Sequence, residues 1–364
     1  MKYFFALVLF LFASTLFITE NTFAWGGRGH DTICQSAVFL VKNKTLKDFL
    51  RNKPNMLGHL CNVPDIYWRG LSPEQTKEGN PTHYVESEAL GIPLKDMPLD
   101  MKALIEKYTG KEDQLKTGTK IMSLPHEMGT NWWRANQLFE MAILEGKKLK
   151  DLVAPANSKD EQNDDLPYNK HLYNMITYMG VMGHFVGDNG QPLHTNADYD
   201  GYESGHGGIH AYYEDLCVSF FEADLSVKIV KKAKTIDQNS KSNQFTREKT
   251  VLEQMRALGV ISNNEVKELF KLDPIITKSI LKEEKGMKIK TPAVRKSPAE
   301  GQKVFANLIV TDMARSALLL AKMWDDIYVA IGKPDFKAYK SYRYPLTPDF
   351  VMPDYYEIKT EPKK

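Results

Sequence analysis

Apolar side chains recur at three- and four-residue spacing along most of the chain, and this spacing predicts helices. No run of alternating apolar and polar residues competes convincingly with it. The sequence therefore predicts an all-α fold. The predicted helices cover residues 31–41, 130–145, 171–186, 211–230, 247–258, 262–270 and 300–331.

Turn residues punctuate these helices at Gly79-Asn80-Pro81, at 196–208 and at Lys333-Pro334. We expect one multi-helix domain over residues 25–332. Residues 231–299 are rich in Lys and Glu and are predicted to form an exposed insertion or flexible arm. This arm is either a solvated surface or a basic contact for nucleic acid or anionic lipid. Residues 333–364 lack helical periodicity, so an irregular tail over the surface is expected.

The N-terminus has the pattern of a secretory signal peptide. Lys2 precedes a long apolar stretch, and small Ala24 precedes the expected cleavage point. The alternative is a membrane anchor, but the stretch is short for a bilayer span. We expect residues 1–24 to be removed and the protein to be secreted or periplasmic.

Charge and cysteine content limit the kinds of binding and of structural site that the sequence supports. The net charge of +2 among 364 residues does not indicate a broad electrostatic grip on duplex DNA. Cys34, Cys61 and Cys217 permit at most one internal disulfide, and their spacing does not suggest a structural zinc site. Core positions or a single disulfide are the expected roles of these cysteines.

Residues 184–194 carry the most specific chemistry, because they place three metal-type ligands within one short run. In a helix, His184 and Asp188 lie one turn apart on the same face, and Pro192 then turns the chain so that His194 can reach a neighbouring ion. His210 and Glu214 repeat the same spacing. One such pair is usually a surface pair, but two pairs with a histidine between them indicate a metal site. Imidazole and carboxylate ligands without thiolates suit zinc, and this many candidates implies more than one ion.

Cleavage after Ala24 would make Trp25 the first residue. A free α-amine and the carbonyl oxygen of the same residue can chelate a metal as a five-membered ring. The cleavage would thus create a ligand that the precursor lacks.

These motifs resemble, in order and roughly in spacing, those of the trinuclear-zinc phosphoesterases, the superfamily of the S-one/P-one single-strand nucleases and the zinc-dependent phospholipases C. The resemblance covers residues 25–214. It rests on Trp25-Gly-Gly-Arg-Gly-His30, Asp65, His83 in Thr-His-Tyr-Val-Glu, the 184–194 run and the His210/Glu214 pair.

The resemblance implies a cleft with three zinc ions, in which a zinc-bound hydroxide attacks a phosphodiester. Asp188 would bridge the two closest ions, since a carboxylate is the ligand type here that can do so. The implied ligand sets are Asp65, His83, His184 and Asp188 for one ion, Trp25, His30 and Asp188 for its partner, and His194, His210 and Glu214 for the third.

Further roles follow from the same resemblance. Asp65 and Asp188 are expected to be catalytic, and Arg69 either steadies charge on phosphorus or forms an ordinary ion pair with Asp65. Tyr84 and Glu86 match positions that stack on and hydrogen-bond a base, although a tyrosine there can also be simple packing. His206 is an alternative ligand near His210, whereas His59, His126 and His171 show no ligand pattern.

The two branches of the superfamily imply different substrates. The sequences around Trp25 and His83 are similar to the nuclease branch, which favours a single-strand nuclease or 3′-nucleotidase acting on single-stranded nucleic acid or nucleotides. The closing pair His210/Glu214, with Glu and a short preceding loop, is similar to the phospholipase branch. A phospholipase C that cleaves phospholipid head groups is therefore the alternative. A non-enzymatic metal-sequestering protein is a further, weaker hypothesis, and no stable protein partner is implied.

Overall fold

The computed structural model describes residues 25–285, 287–336 and 348–356, so the predicted signal peptide lies outside the described residues. Within them the fold is all-α, as predicted. The α-helices are α1 (Gly26–Leu40), α2 (Lys44–Leu50), α3 (Pro54–Ile66), α4 (Pro73–Gly79), α5 (Met101–Tyr108), α6 (Leu124–Met128), α7 (Asn131–Lys148), α8 (Ser158–Glu161), α9 (Pro167–Asn189), α10 (Ile209–Ala211), α11 (Cys217–Ser219), α12 (Leu225–Gln238), α13 (Val251–Leu272) and α14 (Pro298–Ala330). Short 3₁₀ turns lie at Trp68–Gly70, Asn80–His83, Glu88–Leu90, Leu94–Asp96, Leu149–Asp151, Pro192–Thr195 and Gln244–Arg247, and a π-helical turn spans Tyr212–Leu216.

Helix α9 is the centre of the bundle, and every residue from Met179 to Asn189 is buried. It packs along α7 on one side and against α3 and α1 on the other, while α14 lies across α1 and α12. Two glycines of α9 set the distance between these helices. A Cβ on Gly180 would lie 2.5 Å from Leu60 of α3, and one on Gly183 would lie 2.3 Å from the sulfur of Cys34 of α1. Larger residues there would push the helices apart.

At two places the structure breaks or joins the predicted helices. The helix predicted over 211–230 is broken, because the π-helical turn and α11 are followed by an irregular stretch before α12 begins at Leu225. The two helices predicted over 247–258 and 262–270 form the single helix α13. Thr250 begins it with a capping box, in which its hydroxyl and the Glu253 side chain satisfy each other's backbone N–H groups.

The exposed arm predicted over 231–299 is only partly what the structure shows. Most residues up to Leu272 belong to α12 and α13, whose apolar faces are buried against α1, α14 and α7. The lysines and glutamates that suggested an arm line the outer faces of these helices, so composition alone was misleading here. The exposed part begins after α13.

That exposed part contains short strands, which the apolar pattern did not predict. They are β1 (Ile275–Thr277), β2 (Ile280–Glu284), β3 (Met287–Thr291) and β4 (Val294–Arg295). β1 pairs antiparallel with β4, and β2 pairs antiparallel with β3, with Lys282 opposite Ile289. Each strand is short and largely exposed on both faces, so burial imposes no clear alternation on its sequence.

The apolar composition of α14 is explained by its position in the core. It is the one described helix long and apolar enough to cross a bilayer, but 72% of its most apolar window is buried inside the protein. The Trp324 indole N–H donates to the backbone oxygen of Met179, which ties α14 to α9.

The described part of the tail has no helix or strand and packs beside α7. Trp68 donates to the Pro348 carbonyl and contacts the Phe350 ring, and Thr130 bonds the Tyr355 hydroxyl. Residues 337–347 and 357–364 lie outside the described residues. The three cysteines are buried free thiols, so the single disulfide that the sequence permits is absent among them.

Candidate metal centre

Three helices bring the predicted ligands together. His30 lies on α1, Asp65 near the end of α3, and His184 and Asp188 one turn apart on α9. Gly187 is the close-contact point, because a Cβ there would lie 3.0 Å from His30 Nδ1. Gly187 leaves room for the His30 ring, so the ligands on α1 and α9 can lie close together.

Asp188 is at the middle of the first cluster. Its Oδ1 lies 3.3 Å from His30 Nε2, and its Oδ2 lies 3.2 Å from His83 Nδ1 and 3.3 Å from His184 Nε2. Asp65 lies on the other side, 3.8 to 4.0 Å from the same three imidazoles. The two carboxylate oxygens of Asp188 therefore face different histidines, as a bridging ligand requires.

A second cluster is formed by the predicted ligands that follow α9. His210 Nε2 lies 3.0 Å from Glu214 Oε1, and His194 Nε2 lies 3.6 Å from Glu214 Oε2. All three side chains are buried. The π-helical turn Tyr212–Leu216 contains Glu214, and such turns occur frequently at functional sites.

Backbone carbonyls orient most of these histidines. The Nδ1–H groups of His184, His194 and His210 donate to the carbonyl oxygens of Cys61, His83 and Tyr199 at 2.9, 2.7 and 2.9 Å. Each bond fixes the tautomer that leaves Nε2 with a free lone pair pointing into its cluster. Histidines that bind metals are oriented by the same kind of partner.

The charges within the clusters favour ionised carboxylates, which bind metals, but they act differently on the individual histidines. Burial opposes ionisation of Asp188 and Glu214, but nearby imidazoles outweigh it, holding the pKa of Asp188 well below its usual range and lowering that of Glu214 to about 2. Burial lowers the pKa of His184 to about 4, so this ring is neutral at pH 7. For His194, Asp188 and Glu214 outweigh burial and raise the pKa to about 8. A metal must therefore displace a proton from His194.

The residues fit a metal because several of their polar atoms are buried without a hydrogen bond of ordinary geometry. Such atoms are costly unless something else satisfies them. Three groups of side chains have ligand atoms close enough to share an ion, namely His30/Asp65/His184, His83/His184/Asp188 and His194/His210/Glu214. The unsatisfied atoms are both ring nitrogens of His30, Asp65 Oδ2, Asp188 Oδ1, His194 Nε2 and Glu214 Oε1. These buried clusters could hold metal ions.

Arg69 and Trp25 lie next to the first cluster. A guanidinium nitrogen of Arg69 lies 2.8 Å from Asp65 Oδ1, and Arg69 also lines the cavity beside the cluster. The Trp25 side chain is fully buried, and its indole N–H donates to the carbonyl oxygen of Gly187 at 2.7 Å. This bond holds Trp25 against the residue that precedes Asp188.

A cavity of about 460 Å³ opens onto both clusters. Its lining includes His83, His194 and His210 together with Tyr84 and Glu86. The strand-like segment that follows His83 is held by a bond from the N–H of Val85 to His194 O and by a bridge to Gly129. A Cβ on Gly129 would lie 2.1 Å from Tyr84 O, so glycine is needed there. Glu86 is half-buried, and burial together with Glu88 raises its pKa to about 8.

The remaining histidines lie outside the clusters. His206, the alternative ligand, is instead paired with Asp273 at 2.9 Å and stacked on Phe270, so that alternative is wrong. His171 pairs with Glu145, His126 lies 3.6 Å from Glu78, and His59 contacts the Tyr67 ring.

Two features of the centre were missed from the sequence. Gln191, inside the 184–194 run, donates from Nε2 to Glu214 Oε2 at 2.7 Å. Tyr213 donates to Asp312 Oδ2 at 2.7 Å, and its ring lies 5.8 Å from that of Trp25. Asp312 is distant in sequence, and no local pattern signals this contact.

Comparison with known proteins finds no family model that matches the chain. No curated protein matches it at a significant level.

We predict that divalent metal stabilises the fold. Adding zinc to chelator-treated protein that begins at Trp25 should raise its thermal unfolding midpoint, because ligand binding to the folded state stabilises it by about 4 kcal/mol per site at a thousandfold excess over Kd. Asp188→Asn should lose most of this rise. Glu145→Gln, which breaks a His/carboxylate pair outside the clusters, should keep it. Equal rises in all three proteins, or none, would contradict the assignment.

We predict that Glu86 makes the stability of the fold depend on pH. Because its pKa is about 8 in the folded protein and about 4.5 when unfolded, the unfolded chain releases this proton first as pH rises. Stability should therefore fall between about pH 4.5 and 8 by roughly 2–4 kcal/mol. Glu86→Gln removes this component. Urea unfolding of both proteins at pH 5 and 8.5 measures it, and an unchanged difference between them at the two pH values would show the pKa to be normal.

Proposed function

We propose that the protein is an exported zinc-dependent phosphodiesterase that acts as a single-strand nuclease and 3′-nucleotidase. One observation carries this proposal: two buried clusters of histidine and carboxylate ligands open onto one cavity, whose wall also contains Tyr84 and Glu86. The proposal includes three zinc ions, because nitrogen and oxygen ligands without thiolates suit zinc and the ligands form three groups. Export rests on the signal-like residues 1–24.

Different side chains have different roles in the proposed hydrolysis of a phosphodiester. Bound zinc would supply an activated water and neutralise negative charge on the phosphate. The two oxygens of Asp188 contact His30 and His83 and so keep these ligands in a fixed arrangement. Asp65 binds Arg69 at the edge of the cavity. From there the guanidinium can hydrogen-bond a phosphoryl oxygen that gains charge in the transition state.

The preference for nucleotides rests on Tyr84 and Glu86. With a pKa of about 8, the Glu86 carboxyl is largely protonated at neutral pH and can donate a hydrogen bond to an acceptor on a base. The Tyr84 hydroxyl donates to His126 O, and this bond fixes the Tyr84 ring in the cavity wall. The Tyr84 ring then offers a surface on which a base can stack. The cavity volume of about 460 Å³ is within the range of small-molecule sites.

A phospholipase C is the second candidate, and two observations favour it. Leu115 and Tyr199 line the same cavity and are about half exposed, at 47% and 48%, so they form an apolar rim that could hold acyl chains. The second cluster also closes with Glu214, as in the phospholipase branch. Both candidates use the same ligands and differ in what the cavity wall recognises.

The α-amine of Trp25 is proposed as a ligand, and this gives a sharp prediction. A protein with one extra Gly before Trp25 should lose at least about 90% of its activity but little stability, because the buried indole and helix α1 are unaffected. The matched protein begins at Trp25. Hydrolysis of bis(p-nitrophenyl) phosphate and thermal unfolding are measured for both, and equal turnover would mean that this amine is not a ligand.

Parallel assays test the substrate. Protein beginning at Trp25 should cleave single-stranded DNA faster than phosphatidylcholine, and chelator should abolish both reactions. Tyr84→Ala should lower cleavage of single-stranded DNA by 1–3 kcal/mol in transition-state stabilisation, the range for a lost stacking contact, which is about 5- to 150-fold.

Tyr84→Phe is the control, since it keeps the ring and should cleave DNA at a near-normal rate. Both variants should retain hydrolysis of bis(p-nitrophenyl) phosphate. Dominant phosphocholine release, with negligible DNA cleavage, would replace the nuclease proposal with the phospholipase one.

A further inference from the structure

The hairpin formed by β2 and β3 is the most unusual surface of the described chain. Residues 278–296 contain seven Lys and Arg and two Glu, a net charge of +5, whereas the whole chain carries +2. The rest of the protein is therefore net negative. Positive charge is concentrated on the segment that contains the hairpin.

The two faces of this hairpin differ. One face carries the cross-strand pairs Ile280/Thr291, Lys282/Ile289 and Glu284/Met287, and the other carries Leu281/Lys290 and Glu283/Lys288. The second face lies toward the protein, because Lys290 sits over the Tyr202 ring at 4.7 Å and Leu281 is half-buried.

The outward face carries apolar side chains and is flanked by lysines. Ile280, Met287 and Ile289 are 45%, 65% and 43% exposed. Lys282 and Glu284 lie among them, and Lys278 and Lys285, which flank β2, are also exposed. Within the part of the chain that the structure describes, none of these three lysines forms an ion pair. Exposed apolar side chains ringed by lysines are typical of segments that lie in the interface of an anionic bilayer.

The hairpin is also fixed to the metal centre. Its base is bonded to the loop between His194 and His210, since the N–H of Ser279 donates to Gly205 O at 3.1 Å and that of Ala293 to Gly207 O at 2.9 Å. Arg295 strengthens the joint by donating to Asp273 and to the carbonyl of Gly207. The other end of the same loop, at Tyr199, lines the cavity.

We propose that the β2–β3 hairpin docks the protein on a lipid bilayer with anionic head groups. Ile280, Met287 and Ile289 enter the interface, and the surrounding lysines meet the lipid charge. The apolar row favours a bilayer over a nucleic acid, because residues 275–295 contain no aromatic side chain on which a base could stack. The proposal does not depend on which phosphodiester the metal centre cleaves.

Vesicle sedimentation tests the proposal with protein that begins at Trp25 and is loaded with zinc. The protein should bind vesicles of phosphatidylglycerol and phosphatidylcholine more tightly than vesicles of phosphatidylcholine alone, and salt should weaken the binding. Head-group release is monitored in the same samples, so that binding and hydrolysis are separated.

Two double variants locate the surface. Lys282→Glu with Lys285→Glu should lower the partition coefficient on anionic vesicles at least about tenfold, because each basic residue near such a surface contributes substantially to binding. Met287→Ser with Ile289→Ser should lower the binding that remains at high salt. The matched control is Lys231→Glu with Lys234→Glu, which changes the net charge equally on the exposed face of α12 and should reduce binding less than about twofold.

Circular dichroism of each variant checks that the fold is retained. Equal losses in the hairpin and control variants would overturn the proposal, as would equal binding of the unmodified protein to neutral and anionic vesicles. A hairpin variant that loses affinity for a single-stranded oligonucleotide but not for vesicles would show that the surface binds nucleic acid instead.

Discussion

The close approach of α1, α3 and α9 is the constraint on which the candidate metal centre depends. Ligands from three helices can meet only if the helix axes lie near one another, and Gly180, Gly183 and Gly187 provide that proximity along one side of α9. The same side of the helix then carries His184 and Asp188. The glycines that allow close packing and the ligands therefore lie on the same side of α9. A substitution that widens the helix spacing would also separate the ligands.

This arrangement places strong charges where water cannot reach. Asp188, Glu214 and the histidines around them are buried, and several of their polar atoms lack hydrogen bonds. Their mutual attraction offsets part of the cost of desolvation, but a bound cation would offset more. The backbone carbonyls that orient His184, His194 and His210 keep the lone pairs directed inward, so the site is organised by the fold itself.

The sequence predicted the parts of this structure that depend on local pattern. The long helices and the His184/Asp188 and His210/Glu214 spacings follow from helical periodicity, and the structure brings these ligands together. The contacts of Gln191 and Asp312 could not be predicted, because they depend on which side chains meet across the fold. The composition of residues 231–299 was misleading for a related reason: a lysine-rich outer face says little about whether the opposite face of a helix is buried.

Two hydrogen bonds join the segment around His83 to His194. The His194 ring donates to the carbonyl of His83, and the N–H of Val85 donates back to the carbonyl of His194, so one cavity wall is locked to both ligand clusters. The rest of the lining includes loop residues such as Leu115, Lys116 and Tyr199. Changes in these loops can alter which molecule enters while the locked wall stays intact. The loop side chains that line the cavity can therefore change independently of the side chains in the two ligand clusters.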